Sequence, residues 1–89
     1  MDQTQIKTVR EGLGLNQAQF GQLFGVHAMT VSRWESGATQ PSPYEIELLK
    51  AFAIASQARD KKLTSDLKQL LVGAGIVAAL LFLLNKAGE

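Results

Sequence analysis

The feature that most narrows how this chain can fold is a glycine set between two short stretches of helical apolar spacing. Leu15-Asn16-Gln17-Ala18-Gln19-Phe20 leads into Leu23-Phe24-Gly25-Val26, and Thr30-Val31-Ser32-Arg33-Trp34-Glu35-Ser36-Gly37 follows. Apolar residues recur at helical spacing on both sides of Gly25, so two short amphipathic helices meet there. Glycine takes the left-handed conformation without a steric penalty, which lets the second helix leave the first at a steep angle. Gly37 ends the second helix in the same way.

The helix boundaries are marked by local chemistry. Asn16 can cap a helix with Gln19 as its capping-box partner, and Leu15 and Phe20 occupy the staple positions around it. His27 stands where the next helix begins, with Val26 and Val31 as its staple pair. Ser42 caps a further helix, with Pro43 at its first position and Glu45 as the capping-box partner. These signals predict helices near 3–12, 16–24, 27–36 and 43–55. The periodicity turns Ile6, Val9 and Leu13 inward from the first helix, and Phe20, Leu23 and Phe24 from the second. Val31 and Trp34 follow from the third, then Ile46, Leu49, Phe52 and Ala53 from the fourth. Gly12 and Gly14 break the first connection. Gly21 lies within a helix, where it costs about 1 kcal/mol against alanine, so a close crossing is expected there.

The rest of the chain changes character. Ser56–Asp66 is polar and mixed in charge, a linker or short helix. From Gln69 to Asn85 no residue is charged, and Leu70–Leu84 is apolar throughout. Thr64 and Ser65 are candidate caps, and a single hydrophobic helix over 67–89 is expected. Its apolar residues cover every face, so something must cover it. The expected class is therefore all-α: a compact four- to five-helix bundle over 1–55, a connection over 56–66, and the C-terminal hydrophobic helix.

Several chemistries are excluded or unsupported. The absence of cysteine removes disulfides and thiolate metal sites and fits a reducing cytoplasm. Met1–Glu11 is polar and has no secretory apolar core. With one histidine, Glu45 and Glu47 two positions apart on a helix, and no phosphate-cradling glycine loop, neither catalysis nor a metal or cofactor site is expected.

From about Ile6 to Ala55 the chain resembles the phage repressor/Cro (XRE-type) helix-turn-helix family. The residues that carry the resemblance are Leu15-Asn16-Gln17-Ala18, Phe24-Gly25-Val26, Thr30-Val31-Ser32-x-Trp34-Glu35-x-Gly37 and Pro41. The resemblance implies a compact helical domain that binds operator DNA, usually as a symmetric dimer and usually to repress.

It also implies that the third helix is the recognition helix, with Ala28, Met29, Ser32 and Arg33 at base-facing positions. Arg33 is the side chain there able to bridge guanine O6 and N7; Ala28 and Met29 offer only apolar contact, for example to a thymine methyl. At these positions the chain departs from family members that carry Gln or Asn. Gln17 matches a position that clamps phosphate, its alternative being a cap of its own helix. His27 and Thr30 resemble further backbone contacts, His27 having the alternative of a helix cap, and Arg33 that of a solvated surface residue. Thr39 and Gln40, before Pro41, are further phosphate candidates. Trp34 reads as core. Arg10 can touch phosphate, but the family pattern suggests an ion pair with Glu35.

Residues 1–56 carry Lys7, Arg10, Arg33 and Lys50 against Asp2, Glu11, Glu35, Glu45 and Glu47, a balance of −1; residues 57–89 balance at +2. One copy of so weakly charged a reader attracts phosphate poorly, and two copies on one site are the natural remedy. The hydrophobic tail is then expected to dimerise the protein, through Leu71, Gly75, Ala78, Ala79 and Phe82, with Gly75/Ala79 and Ala74/Ala78 giving small-xxx-small spacing. The competing reading is a membrane anchor: seventeen uncharged residues span about 26 Å as a helix, and Arg59, Lys61, Lys62 and Lys68 precede them while Lys86 follows. That reading places the protein at the inner membrane with its DNA reader in the cytoplasm; the dimer reading leaves it cytoplasmic. A third possibility is an antitoxin-like module whose tail covers a partner protein.

Overall fold

The computed structural model describes residues 1–57 and 61–88, and among them all regular structure is helical. The elements are α1 (Gln3–Gly12), α2 (Gln17–Phe24), α3 (Ala28–Ser36), α4 (Pro43–Gln57), α5 (Lys61–Gly73) and α6 (Ile76–Ala87). The first four agree with the expected spans to within two residues at every end.

Their caps form as the sequence predicts. Asn16 Oδ1 accepts from the Gln19 amide at 2.8 Å while Gln19 Oε1 accepts from the Asn16 amide at 3.0 Å. Ser42 and Glu45 make the same reciprocal pair. A capping box the sequence reading did not single out, Asp2 with Gln5, starts α1. Gly25 has φ 69° and ψ 28°, and Gly37 has φ 83°.

The core draws on every helix. Ile6, Val9, Leu13, Phe20, Leu23, Val31, Trp34, Leu49 and Phe52 are buried as expected, and Leu15, read only as a staple residue, is buried with them. Phe24 is half-buried yet central: its ring meets Phe20, Trp34 and Phe52 edge-on at centroid distances of 5.0, 5.4 and 5.4 Å. One aromatic side chain thus ties α2 to both α3 and α4. Gly21 is closed in by the turn, since a Cβ there would stand 2.6 Å from the Val26 carbonyl oxygen, and by the crossing helix α3, whose Val31 Cγ2 would lie 3.4 Å away.

The tail departs from the expected single helix. It breaks at Ala74–Gly75, where Gly75 has φ 96° and ψ 178°, a conformation that glycine alone adopts at little cost. The Ala74 and Gly75 amides both return to the Leu70 carbonyl, closing α5. The break lets α6 fold back against α5, α4 and α2. Leu63 and Leu67 of α5 and Ala79 and Leu83 of α6 are thereby buried in the common core. Part of the cover that the apolar segment requires comes from its own chain. Among the described residues no helix is long and apolar enough to cross a membrane, and the uninterrupted span on which an anchor would depend does not form. Lys61–Asp66 belongs to α5 rather than to a linker; Arg59, counted among the basic flanking residues, lies outside the described residues.

Candidate nucleic-acid interface

The site follows from how α3 is held. Val31 and Trp34 point into the core, so the opposite side of the helix must face outward. On that side lie Met29, Ser32 and Arg33, all exposed, with Ala28 half-buried beside them. Positions 28 and 32, and 29 and 33, are one turn apart and form two adjacent rows. Within this patch the Arg33 Nη2 lies 3.4 Å from the Met29 sulfur. The structure thus brings together the four residues at expected base-facing positions on one exposed ridge, with Arg33 as its cation.

The flanking residues divide. His27 caps α3, its Nδ1 accepting from the Met29 amide at 3.4 Å, and remains exposed. Thr30 is half-buried on the first turn. Gln17 does not cap α2, because Asn16 holds that place; its Nε2 donates instead to Glu35 Oε1 at 3.3 Å. At the start of α2 the Asn16 and Gln19 amides are already taken by the capping box. Thr39 and Gln40 are exposed before the buried Pro41.

Beneath the ridge, Arg10 of α1 grips Glu35 of α3. Arg10 Nε and Nη2 donate to the two carboxylate oxygens at 2.7 and 3.0 Å, and Nη1 donates to the Leu15 carbonyl at 3.0 Å. Hydrogen bonding to Glu35 outweighs burial and pushes the guanidinium pKa further up. Glu35 therefore serves Arg10 and Gln17 at once. The link between Gln17 and Glu35 was not visible in the sequence, because nothing in the local pattern joins residues 18 positions apart on different helices.

The residues expected to dimerise the tail are split by the fold. Ala79 is fully buried within its own chain; Leu71, Gly75, Ala78 and Phe82 are half-buried, and Gly75 is the cap of α6 rather than part of a helix face. The exposed apolar side chains are instead Val72, Ile76, Val77, Leu81 and Leu84.

A capped helix, a left-handed glycine turn and a second helix carrying an outward-facing ridge define a helix-turn-helix protein. The helix-turn-helix family profile matches residues 6–52, and this chain belongs to that family, in its XRE-type branch. It is 35% identical over 60 residues to YiaG of Escherichia coli K12, an uncharacterised HTH-type transcriptional regulator. The same identity holds for YiaG of strains O6:H1 and O157:H7. The matched stretch covers 67% of this chain and 62% of each relative, so the chain spans less than two thirds of the curated relatives it matches. No solved structure matches the chain.

Proposed function

We propose that this protein is a sequence-specific, DNA-binding transcriptional regulator that lays α3 in the major groove of duplex DNA. The observation that carries the proposal is the exposed ridge of Ala28, Met29, Ser32 and Arg33 opposite the anchored Val31 and Trp34. Arg33 reads guanine through O6 and N7, and Ala28 and Met29 supply apolar contact to a neighbouring base. Gln17, His27 and Thr30 set the helix on the phosphate backbone. The relatives, named as transcriptional regulators, support this reading.

The reader acts as a cytoplasmic homodimer and as a repressor. The outward row of α6, Val77, Leu81 and Leu84, extended by Val72 and Ile76, favours a second copy as the cover it lacks. Two copies also compensate for the slight charge of residues 1–56. Enrichment of duplexes from a randomised pool tests the reading. The expected result is a two-fold symmetric consensus containing guanine, with half-sites about one helical turn, ~34 Å, apart. Failure to enrich any sequence refutes DNA reading, and an asymmetric single site refutes the dimer.

A further inference from the structure

We infer that Met29 is a modification site at which peroxide-class oxidants switch off DNA reading. The inference rests on the reading of α3 as the base-facing helix. The chain's sulfur is confined to Met1 and Met29, with no cysteine to intercept an oxidant. Met29 is 58% exposed and stands on the outward ridge. Its Sδ also lies 3.4 Å from Arg33 Nη2, one turn along the helix.

The chemistry is a two-electron oxygen transfer. A thioether lone pair attacks one peroxide oxygen, the O–O bond breaks, an S–O bond forms, and the departing oxygen takes up a proton as water or alcohol. The sulfur is oxidised and the peroxide reduced. The product is a polar sulfoxide that methionine sulfoxide reductases return to the thioether.

The consequence follows from where the new oxygen stands. A thioether is a weak acceptor and leaves the guanidinium fork of Arg33 available to a base. A sulfoxide oxygen is a far stronger acceptor within reach of the same nitrogens, and it competes with guanine O6 and N7 for them. It also places a polar group where Met29 would touch an apolar base edge. Reading is lost while the fold stays intact, because the side chain points away from the core.

The test uses the full chain and a duplex enriched from a randomised pool by the reduced protein. Hydrogen peroxide is applied until mass spectrometry shows complete oxidation of Met29, and affinity is measured before, after, and after treatment with methionine sulfoxide reductases. The expected result is a loss of about tenfold or more, as for one lost base contact, reversed by the reductases. Circular dichroism is expected to stay unchanged. Met1→Leu, which keeps Met29, should lose affinity to peroxide as the wild type does, whereas Met29→Leu, compared only with its own unoxidised affinity, should show no peroxide loss. Unchanged affinity of the fully oxidised wild type, or an equal peroxide loss in Met29→Leu, overturns the inference while leaving DNA reading standing. If the reduced protein enriches no sequence, DNA reading itself falls and takes this inference with it.

Discussion

Arg10 and Glu35 meet fork to fork across 25 positions of sequence, with nitrogen–oxygen distances of 2.7 and 3.0 Å. The side chains retain only 13% and 7% of their exposure. The contact fixes the last turn of α3 against α1, and the third guanidinium nitrogen secures the Leu15 carbonyl in the loop before α2. The exposed ridge of α3 is therefore held from behind by a charge pair as well as by Val31 and Trp34.

Breaking that pair from one side strands a nearly buried charge. Arg10→Met or Glu35→Leu should each cost about 2–4 kcal/mol in urea unfolding, and the double variant should cost less than the sum. Additive single effects would show that the two do not interact. The pKa of Arg10 is raised, so its contribution is complete below the ordinary arginine value and is lost only at higher pH. On the Arg10 side, then, the pair should add no pH dependence to stability between pH 5 and 9.

Two glycines of the turn should fail for different reasons. Gly21→Ala gains about 1 kcal/mol of helix propensity but forces a methyl against the Val26 carbonyl 2.6 Å away, an overpacking cost of about 1–3 kcal/mol. Gly25→Ala meets nothing within 4 Å but must hold φ 69°, costing about 1–2 kcal/mol. Gly25→Asn should recover part of that loss, because asparagine tolerates the left-handed region. Thermal melting of the three variants distinguishes the causes: an equal loss in Gly25→Ala and Gly25→Asn would remove backbone conformation as the explanation.

Base reading and backbone positioning should separate by mutation. Arg33→Ala should cost about 1–3 kcal/mol on the enriched duplex and little on scrambled DNA. Gln17→Ala should weaken both duplexes alike. A wild-type ratio of specific to scrambled binding in Arg33→Ala would remove Arg33 from the reading face.

The two sides of α6 should behave as different surfaces. Leu83 is fully buried and Leu83→Ala should cost about 2–5 kcal/mol of stability. Leu81 is 63% exposed, so Leu81→Glu should leave stability within about 0.5 kcal/mol yet lower the light-scattering mass from dimer to monomer. If Leu81→Glu remains dimeric, the outward row is not the interface.

The first 57 residues were legible because their signals are local. Each cap needs only a residue and its neighbour three positions on, and each apolar stripe repeats within one helix. Gly25 and Gly37 carry their own conformational message. The tail was less legible because leucine, valine and alanine say apolar without saying which side is covered. Gly73 and Gly75 were visible, yet whether a glycine pair bends a helix or merely weakens it depends on what the far segment can reach. Here it reaches α4 and α2. Only the cap alternative for Gln17 is removed, because Asn16 holds that place, and its bond to Glu35 was illegible for the same reason: the partner comes from another helix.

The inward side of α6 also separates two boundaries that are easily taken as one. The family profile ends at residue 52, but Leu63, Leu67, Ala79 and Leu83 lie in the same core as Phe20 and Phe52. A fragment cut where the profile ends would be missing a wall. The stretch that the family profile describes is thus shorter than the core that surrounds it.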